Sequence, residues 1–213
     1  MKVTAQDWDQ VWKSKSILMK ILDNMRQIFT ESLYKKVFQP YINKNTKILE
    51  LGCGSSTTSL YIAPKIKQFT GLDTSNEALS LSKLNAKKLN VKNAKFVKGD
   101  CFHIPFKDNS FDIVWSQGLL EHFDNPQGIM NEAIRTTKKN GYIITIVPAT
   151  FSFHKLWYII TRPKLLRKLW PWTKQKFFTQ KRLNALIDNR VDLKKIFYYY
   201  RYGVIVQITE KKF

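Results

Sequence analysis

The sequence predicts an α/β fold in which a mostly parallel, doubly wound sheet is flanked by helices. Three observations predict it. Short runs of the buried-strand type recur between residues 47 and 147, separated by stretches with helical spacing. A glycine-rich turn, Gly52-Cys53-Gly54, follows the first of these runs and leads into a helix. Near the end, two strand-like runs meet at Gly203, a link short enough for an antiparallel pair and too short for a crossover.

In chain order, residues 8–42 place apolar side chains at helical steps, first Trp8, Val11 and Trp12, then Leu18 to Phe29, then Leu33, Val37 and Phe38. Pro40 and the polar Asn43-Lys44-Asn45-Thr46 end this segment. Strands are expected at Lys47–Gly52, Gln68–Asp73, Ala94–Gly99, Phe111–Ser116 and Tyr142–Val147. Helices are expected after the glycine turn to Ile66, over Asn76–Asn90, and over Asn125–Lys138 with Asn140-Gly141 as its stop signal. Thr179–Asn189 reads as a last helix, followed by strands Leu193–Tyr202 and Val204–Thr209. A strand, a helix and another strand in succession call for a right-handed crossover, which lays the two strands parallel.

A chain of 213 residues with 44% apolar and 14% aromatic content suits one globular domain. Its expected parts are N-terminal helices (1–44), a strand-and-helix core (45–150), a basic aromatic insertion (151–178) and a closing helix with two strands (179–213). No apolar run approaches the roughly 18 residues of a membrane span. The acidic start at Asp7 and Asp9 does not resemble a secretory leader, so a cytoplasmic location is expected. Cys53 and Cys101 lack metal-ligand spacing and suit a reducing compartment. The formal charge of +20 attracts polyanions and is uneven: residues 151–213 hold 15 of the 36 basic groups and 3 of the 16 acidic ones.

In an open sheet the ligand lies beyond the carboxyl ends of the strands. Three of those ends carry an acid. Glu50 stands two residues before Gly52, in a turn whose glycines allow close backbone approach. Asp73 closes the second strand, where a carboxylate can accept both hydroxyls of a ribose. Asp100 closes the third, where it can accept from an exocyclic amine, with the Cys101 N–H available to a ring nitrogen. Each acid alone also reads as a turn or cap residue; three at successive strand ends point to a nucleoside.

The set Ile48-Leu49-Glu50-Leu51-Gly52-Cys53-Gly54, Gly71-Leu72-Asp73-Thr74-Ser75, Gly99-Asp100 with Ile104-Pro105-Phe106, Phe111-Asp112-Ile113-Val114 and Glu121-His122 resembles class I S-adenosylmethionine-dependent methyltransferases. The type 11-like group, whose members modify small molecules, lipids and quinones, is the nearest match in pattern. The resemblance covers residues 45–150. It implies a seven-stranded Rossmann-like sheet in the order 3-2-1-4-5-7-6, S-adenosylmethionine as methyl donor and S-adenosylhomocysteine as product. It further implies that Glu50, Gly52, Cys53 and Gly54 hold the methionine end, Asp73 and Thr74 the ribose, and Asp100 with Cys101 the adenine, with Ser116 and Gln117 beside the sulfonium. One departure stands out: Ser56 occupies a position where the family often has glycine, and serine there is expected to act as a helix cap.

Of three histidines, His122 is the best placed to serve as a base toward an acceptor hydroxyl, with His103 second; a structural role for His122 in the turn to Asn125-Pro126 is the competing reading. No carboxylate cluster suggests a metal. After the fourth strand the chain reads Ser116-Gln117-Gly118-Leu119, unlike the Asn/Asp-Pro-Pro-aromatic signature of enzymes that methylate planar amines, and that loop has no cysteine nucleophile for cytosine C5 chemistry. Residues 151–178 contain no acid, but interleave aromatics such as Phe153, Trp157, Trp170 and Trp172 with Lys155, Arg162, Lys164, Arg167 and Lys168. Three readings stay open for this insertion: a cap over a small-molecule or lipid-like acceptor, a peripheral contact with an anionic membrane, or a nucleic-acid surface. An RNA methyltransferase and a non-catalytic donor-binding module are the alternatives to a small-molecule enzyme.

Overall fold

The computed structural model describes residues 6, 8–9, 30–160, 175–199 and 203–212. Seven strands form one sheet: β1 (Lys47–Leu51), β2 (Gln68–Asp73), β3 (Ala94–Lys98), β4 (Phe111–Gln117), β5 (Thr137–Pro148), β6 (Val191–Tyr199) and β7 (Val204–Lys211). Their order is β3-β2-β1-β4-β5-β7-β6, as the family resemblance implies, and β7 alone runs antiparallel to its neighbours. The chain crosses between strands through α1 (Thr57–Ile62), α2 (Asn76–Lys88) and α3 (Gln127–Thr136). Two more helices follow, α4 (Phe153–Ile160) and α5 (Gln180–Asn184).

Both faces of the sheet are buried, so the central strands alternate between two cores. Leu49, Val114 and Ile143 face one core with Ile129, Met130 and Ile134 of α3. Ile48, Ile113 and Ile144 face the other with Leu33, Val37 and Phe38. A side-chain period of two with both sides apolar is why these strands read as continuous hydrophobic runs. Trp115, fully buried, meets the Phe38 ring edge-on at 5.0 Å and donates its indole N–H to Ser59 at 3.2 Å. The segment before β1 is helical from residue 30, passes through a π turn (Tyr34–Phe38) and ends in a 3-10 turn with Pro40 at its start. The expected helix positions from Val11 to Phe29 lie outside the described residues.

Three expected boundaries are corrected. The helix expected over Asn125–Lys138 ends at Thr136, because Thr137 already pairs with Phe111. Asn140, with φ of +60°, then turns the chain inside β5, and regular pairing resumes at Tyr142 with Ile113; the Asn140-Gly141 pair is therefore a bend in the strand, not a helix stop. The helix expected over Thr179–Asn189 ends at Asn184, since Leu186 and Ile187 form tighter turn bonds and the Asp188 carboxylate accepts the Arg190 N–H to start β6. The expected end of that strand at residues 200–202 lies outside the described residues. Among the described residues no helix is long and apolar enough to cross a membrane.

Candidate functional site

The strand order reverses at β1, which pairs with β2 on one side and β4 on the other. Their carboxyl ends must diverge there, and the loop after β1 lies at the opening. That loop is built from left-handed backbone: Gly52 has φ of +63°, Gly54 +51° and Ser56 +53°. At Gly52 the left-handed backbone favours glycine, and a Cβ would also stand 2.8 Å from Leu119 Cδ1, so that the leucine side chain would have to shift. The loop is pinned to β2 through Cys53 N–H to Leu72 O at 3.0 Å and Gly54 N–H to Asp73 Oδ2 at 2.9 Å.

Ser56 departs from the cap expected of it. It occupies the N-cap position of α1, but its hydroxyl makes no capping bond and instead meets Ser82 Oγ at 2.9 Å. Ser82 in turn donates to Gly54 O at 2.6 Å. The Ser82 proton being committed to that carbonyl, Ser56 is the donor to Ser82, and the two hydroxyls form a chain that fixes the Gly54 carbonyl. The serine thus offsets the cost of its left-handed backbone with a buried hydrogen-bonded tether.

The carboxylates of Glu50, Asp73 and Asp100 stand at the ends of three neighbouring strands. Glu50 is buried in register with Gly71 and Trp115. Asp73 Oδ1 accepts the Ser75 N–H at 2.9 Å while Oδ2 takes Gly54, which leaves lone pairs on both oxygens for a ligand. Burial raises the Asp73 carboxyl above the ordinary range, against the lowering effect of those backbone bonds. Asp100 accepts the Phe102 N–H at 2.9 Å, and its side chain is half exposed. Thr74 is half-buried in the turn after Asp73.

The thiols do not face this crevice as reactive groups. Cys53 Sγ lies 2.8 Å from where a Cβ on Gly71 would sit, so it fills the space that glycine leaves. Burial pushes the Cys53 thiol up and the Cys101 thiol to about 12, so both stay protonated and unreactive. Of the two β4 residues, Ser116 is buried at the strand end, and Gln117 Oε1 accepts from Thr58 Oγ1 at 3.5 Å.

Two histidines part company. His103 belongs to the Asp100 turn, its Nδ1 3.8 Å from Asp100 Oδ2, and so sits at the β3 end. His122 follows β4 in a 3-10 turn (Leu120–His122) and packs edge-on against the Trp8 ring, with centroids 4.8 Å apart and planes at 88°. Asp9, the next residue after Trp8, accepts from the Ser75 hydroxyl and from the Glu77 N–H. Trp8 and Asp9 therefore tie the β4 loop to the β2 loop across the opening between them, a contact over 66 residues of sequence that no local pattern signals.

Glu121 is the other residue with chemistry that sequence reading passed over except as part of a motif. It is 3% exposed, its Oε2 has no hydrogen-bond partner, and burial raises its carboxyl to about 8. Its backbone carbonyl accepts the Lys176 N–H at 2.9 Å, and Lys176 Nζ reaches Asp124 at 2.6 Å, so the chain returning from the insertion is stapled to the β4 loop.

The donor set suits S-adenosylmethionine, which offers an ammonium, two ribose hydroxyls and an exocyclic amine to acceptors. Three carboxylates at the β1, β2 and β3 ends are acceptors of the kind such a ligand requires, and the left-handed turn exposes backbone beside them. Residues 42–192 match the model of a family described as a methyltransferase domain. An uncharacterized methyltransferase of Bacillus subtilis, YcgJ, is 27% identical over 47% of this chain and 40% of its own length. The demethylmenaquinone methyltransferase of Geobacillus stearothermophilus is 30% identical over 57% of this chain and 54% of its own. The chain thus spans about half the length of these curated relatives. A SAM-dependent methyltransferase structure from Methanosarcina mazei superposes with a TM-score of 0.65 at 25% identity, covering 83% of this chain and 97% of the other. Sheet order, crevice and family match agree: the chain belongs to the methyltransferase-domain family, with the class I S-adenosylmethionine-dependent fold.

Proposed function

We propose that this protein transfers the methyl group of S-adenosylmethionine to a small-molecule or lipid-like acceptor. The observation that carries the reading is the placement of Glu50, Asp73 and Asp100 at three adjacent strand ends around the left-handed loop after β1. In the proposed roles, Glu50 accepts from the donor's ammonium beside the Gly52–Gly54 turn. Asp73 takes the ribose hydroxyls next to Thr74. Asp100 and the Cys101 N–H hold the adenine, and Ser116 and Gln117 border the sulfur. The bound donor supplies an activated methyl that leaves in an in-line displacement, so the protein's own work is alignment and exclusion of water. Trp8 covers His122 from one side and shields that corner from solvent. His122 holds the acceptor's proton as the new bond forms when the acceptor is a hydroxyl or phenol.

Similarity to a protein named demethylmenaquinone methyltransferase supports an acceptor of lipid-like kind. The test is transfer of labelled methyl from S-adenosylmethionine to fractionated cell extract. Label in the lipid or small-molecule fraction is the expected result. Label confined to RNA, or none at all despite tight binding of S-adenosylhomocysteine, would overturn the reading in favour of an RNA enzyme or a binding module. His122→Ala should lower turnover about 100-fold or more while leaving S-adenosylhomocysteine affinity unchanged; an unaltered turnover would reduce His122 to a structural part of its turn.

A further inference from the structure

Half of the exposed large apolar side chains among the described residues fall within ten consecutive positions: Phe151 at 84%, Leu156 at 54%, Ile159 at 55% and Ile160 at 47% exposure. The last three stand at i, i+3 and i+4 on α4, one stripe of a helix. Elsewhere among the described residues the exposed large apolar side chains, Tyr61, Leu84, Leu89 and Leu193, are scattered singly, which is ordinary for a protein surface; a continuous stripe is not.

Its position is fixed by the fold. β5 ends at Pro148, at the carboxyl rim of the sheet, and Ser152 starts α4 by bonding Ala149 O at 2.7 Å and accepting the Lys155 N–H. The chain returns at Phe178, whose N–H bonds Pro148 O at 2.9 Å and whose carbonyl accepts from Thr150. The chain on either side of the 151–177 stretch is thus clamped together at the carboxyl rim of the sheet, the rim that carries Glu50, Asp73 and Asp100, and Lys176 bonds the loop that carries His122.

Charge says what such a stripe can meet. Residues 151–178 carry seven basic groups and no acid. A second copy of this chain would bring like charge against like charge. Nucleic acid would match the charge but not the side chains, because Leu156, Ile159 and Ile160 have no π-face to stack on bases. An anionic phospholipid surface matches both: the aliphatic stripe enters the acyl boundary while Lys and Arg stay at the headgroups.

We propose that the α4 stripe, together with the basic groups that the sequence carries over residues 151–178, docks the protein on an anionic phospholipid membrane and presents the rim of its crevice to a membrane-dissolved acceptor. The proposal rests on the reading of the acceptor as lipid-like. The docking itself is measured without any acceptor.

The experiment is cosedimentation of the full chain with vesicles of phosphatidylcholine, with and without phosphatidylglycerol. Binding is expected only with the anionic lipid and should weaken with salt. Leu156→Ser combined with Ile159→Ser should reduce that binding about tenfold or more. Neutralising Lys164, Arg167 and Lys168 together should reduce it about a hundredfold, at roughly fivefold per charge. Because Leu156 and Ile159 are exposed, the double variant should keep its melting temperature and its S-adenosylhomocysteine affinity, which separates lost docking from lost fold. Absence of vesicle binding, or binding that the double variant leaves intact, overturns the docking proposal; so does RNA binding unaffected by the double variant in a protein that ignores vesicles. Failure of the two readings is distinguishable: docking without label in lipid removes the lipid acceptor, and label in lipid without docking removes the membrane surface.

Discussion

Replacing Glu121 by glutamine removes a buried ionisable group while keeping the side chain's volume, and its effect on stability should depend on pH in a way no neutral core substitution can imitate. In the folded protein burial holds this carboxyl up at about 8, against an ordinary value of 4.5. The native state therefore binds a proton that the unfolded chain has released throughout that interval. Stability contributed by the protonated form is complete below pH 4.5 and is lost progressively as pH rises to about 8. The interval is roughly 3.5 pH units at about 1.4 kcal/mol each, an upper limit near 5 kcal/mol. Against a typical domain stability of about 5 to 15 kcal/mol, that is a large fraction.

The introduced amide would bring two donors where Glu121 Oε2 now finds no partner, at a cost of about 1 to 3 kcal/mol that does not vary with pH. The informative quantity is thus the change in the difference between wild type and Glu121→Gln across pH, rather than its absolute value. Urea unfolding at intervals from pH 5 to pH 9 measures it. The variant should gain about 3 to 5 kcal/mol on the wild type over that range, with most of the gain below pH 8. A difference that stays constant would refute the reasoning, because it would mean that the carboxyl ionises in the fold as easily as in the unfolded chain.

Asp73→Ala should weaken S-adenosylhomocysteine binding by about 2 to 4 kcal/mol in calorimetry, since it removes both the proposed ribose acceptor and the bond that pins Gly54; unchanged affinity would contradict the ribose assignment. In the wild type, that binding should begin to weaken on acidification at a higher pH than an ordinary aspartate would give, because burial raises the Asp73 carboxyl. Ser56→Ala keeps the left-handed strain and loses the Ser82 hydrogen bond, so thermal or urea unfolding should show a loss of about 1 to 2 kcal/mol, whereas Ser56→Gly exchanges the bond for relief of strain and should stay within about 1 kcal/mol of wild type. Gly52→Ala forces a Cβ toward Leu119 Cδ1 in a left-handed conformation and should cost S-adenosylhomocysteine affinity at least tenfold, about 1.4 kcal/mol; normal binding would mean that the loop is free to move away.

The parts of the fold that depend on local pattern were legible in the residues themselves. Gln68–Asp73 is bounded as expected because a buried apolar run stops at a polar turn, and the antiparallel β6–β7 pair follows from the short link at Gly203. The order of the strands came only through the family resemblance, since pairing partners leave no trace in a single run. Where the reading missed, a contact distant in sequence decided the outcome. Thr137 is drawn out of the helical pattern by Phe111, and Ser56 is drawn away from capping by Ser82. Residue type and position alone place Glu50, Asp73 and Asp100 at neighbouring strand ends, as the structure has them. Glu121 carries no such mark, because its chemistry comes from burial, which depends on how the β4 loop packs around it; Trp8 reads as part of a helix's apolar steps and Asp9 only as an acid near the start, and nothing local distinguishes a bridge between two loops from core packing.

The β4 loop is where the two sides of the proposed reaction meet. On the donor side, the Leu119 side chain packs on Gly52, where a Cβ would displace its Cδ1. On the acceptor side, Trp8 rests on His122, and Lys176 bonds both the Glu121 carbonyl and Asp124. Trp8, Lys176 and Leu119 thus all bear on one loop, and that loop borders the turn proposed to hold the donor's methionine end. An acceptor that contacts this loop should therefore raise affinity for S-adenosylhomocysteine in equilibrium binding by the same factor by which S-adenosylhomocysteine raises affinity for it; independent binding of the two would refute the link.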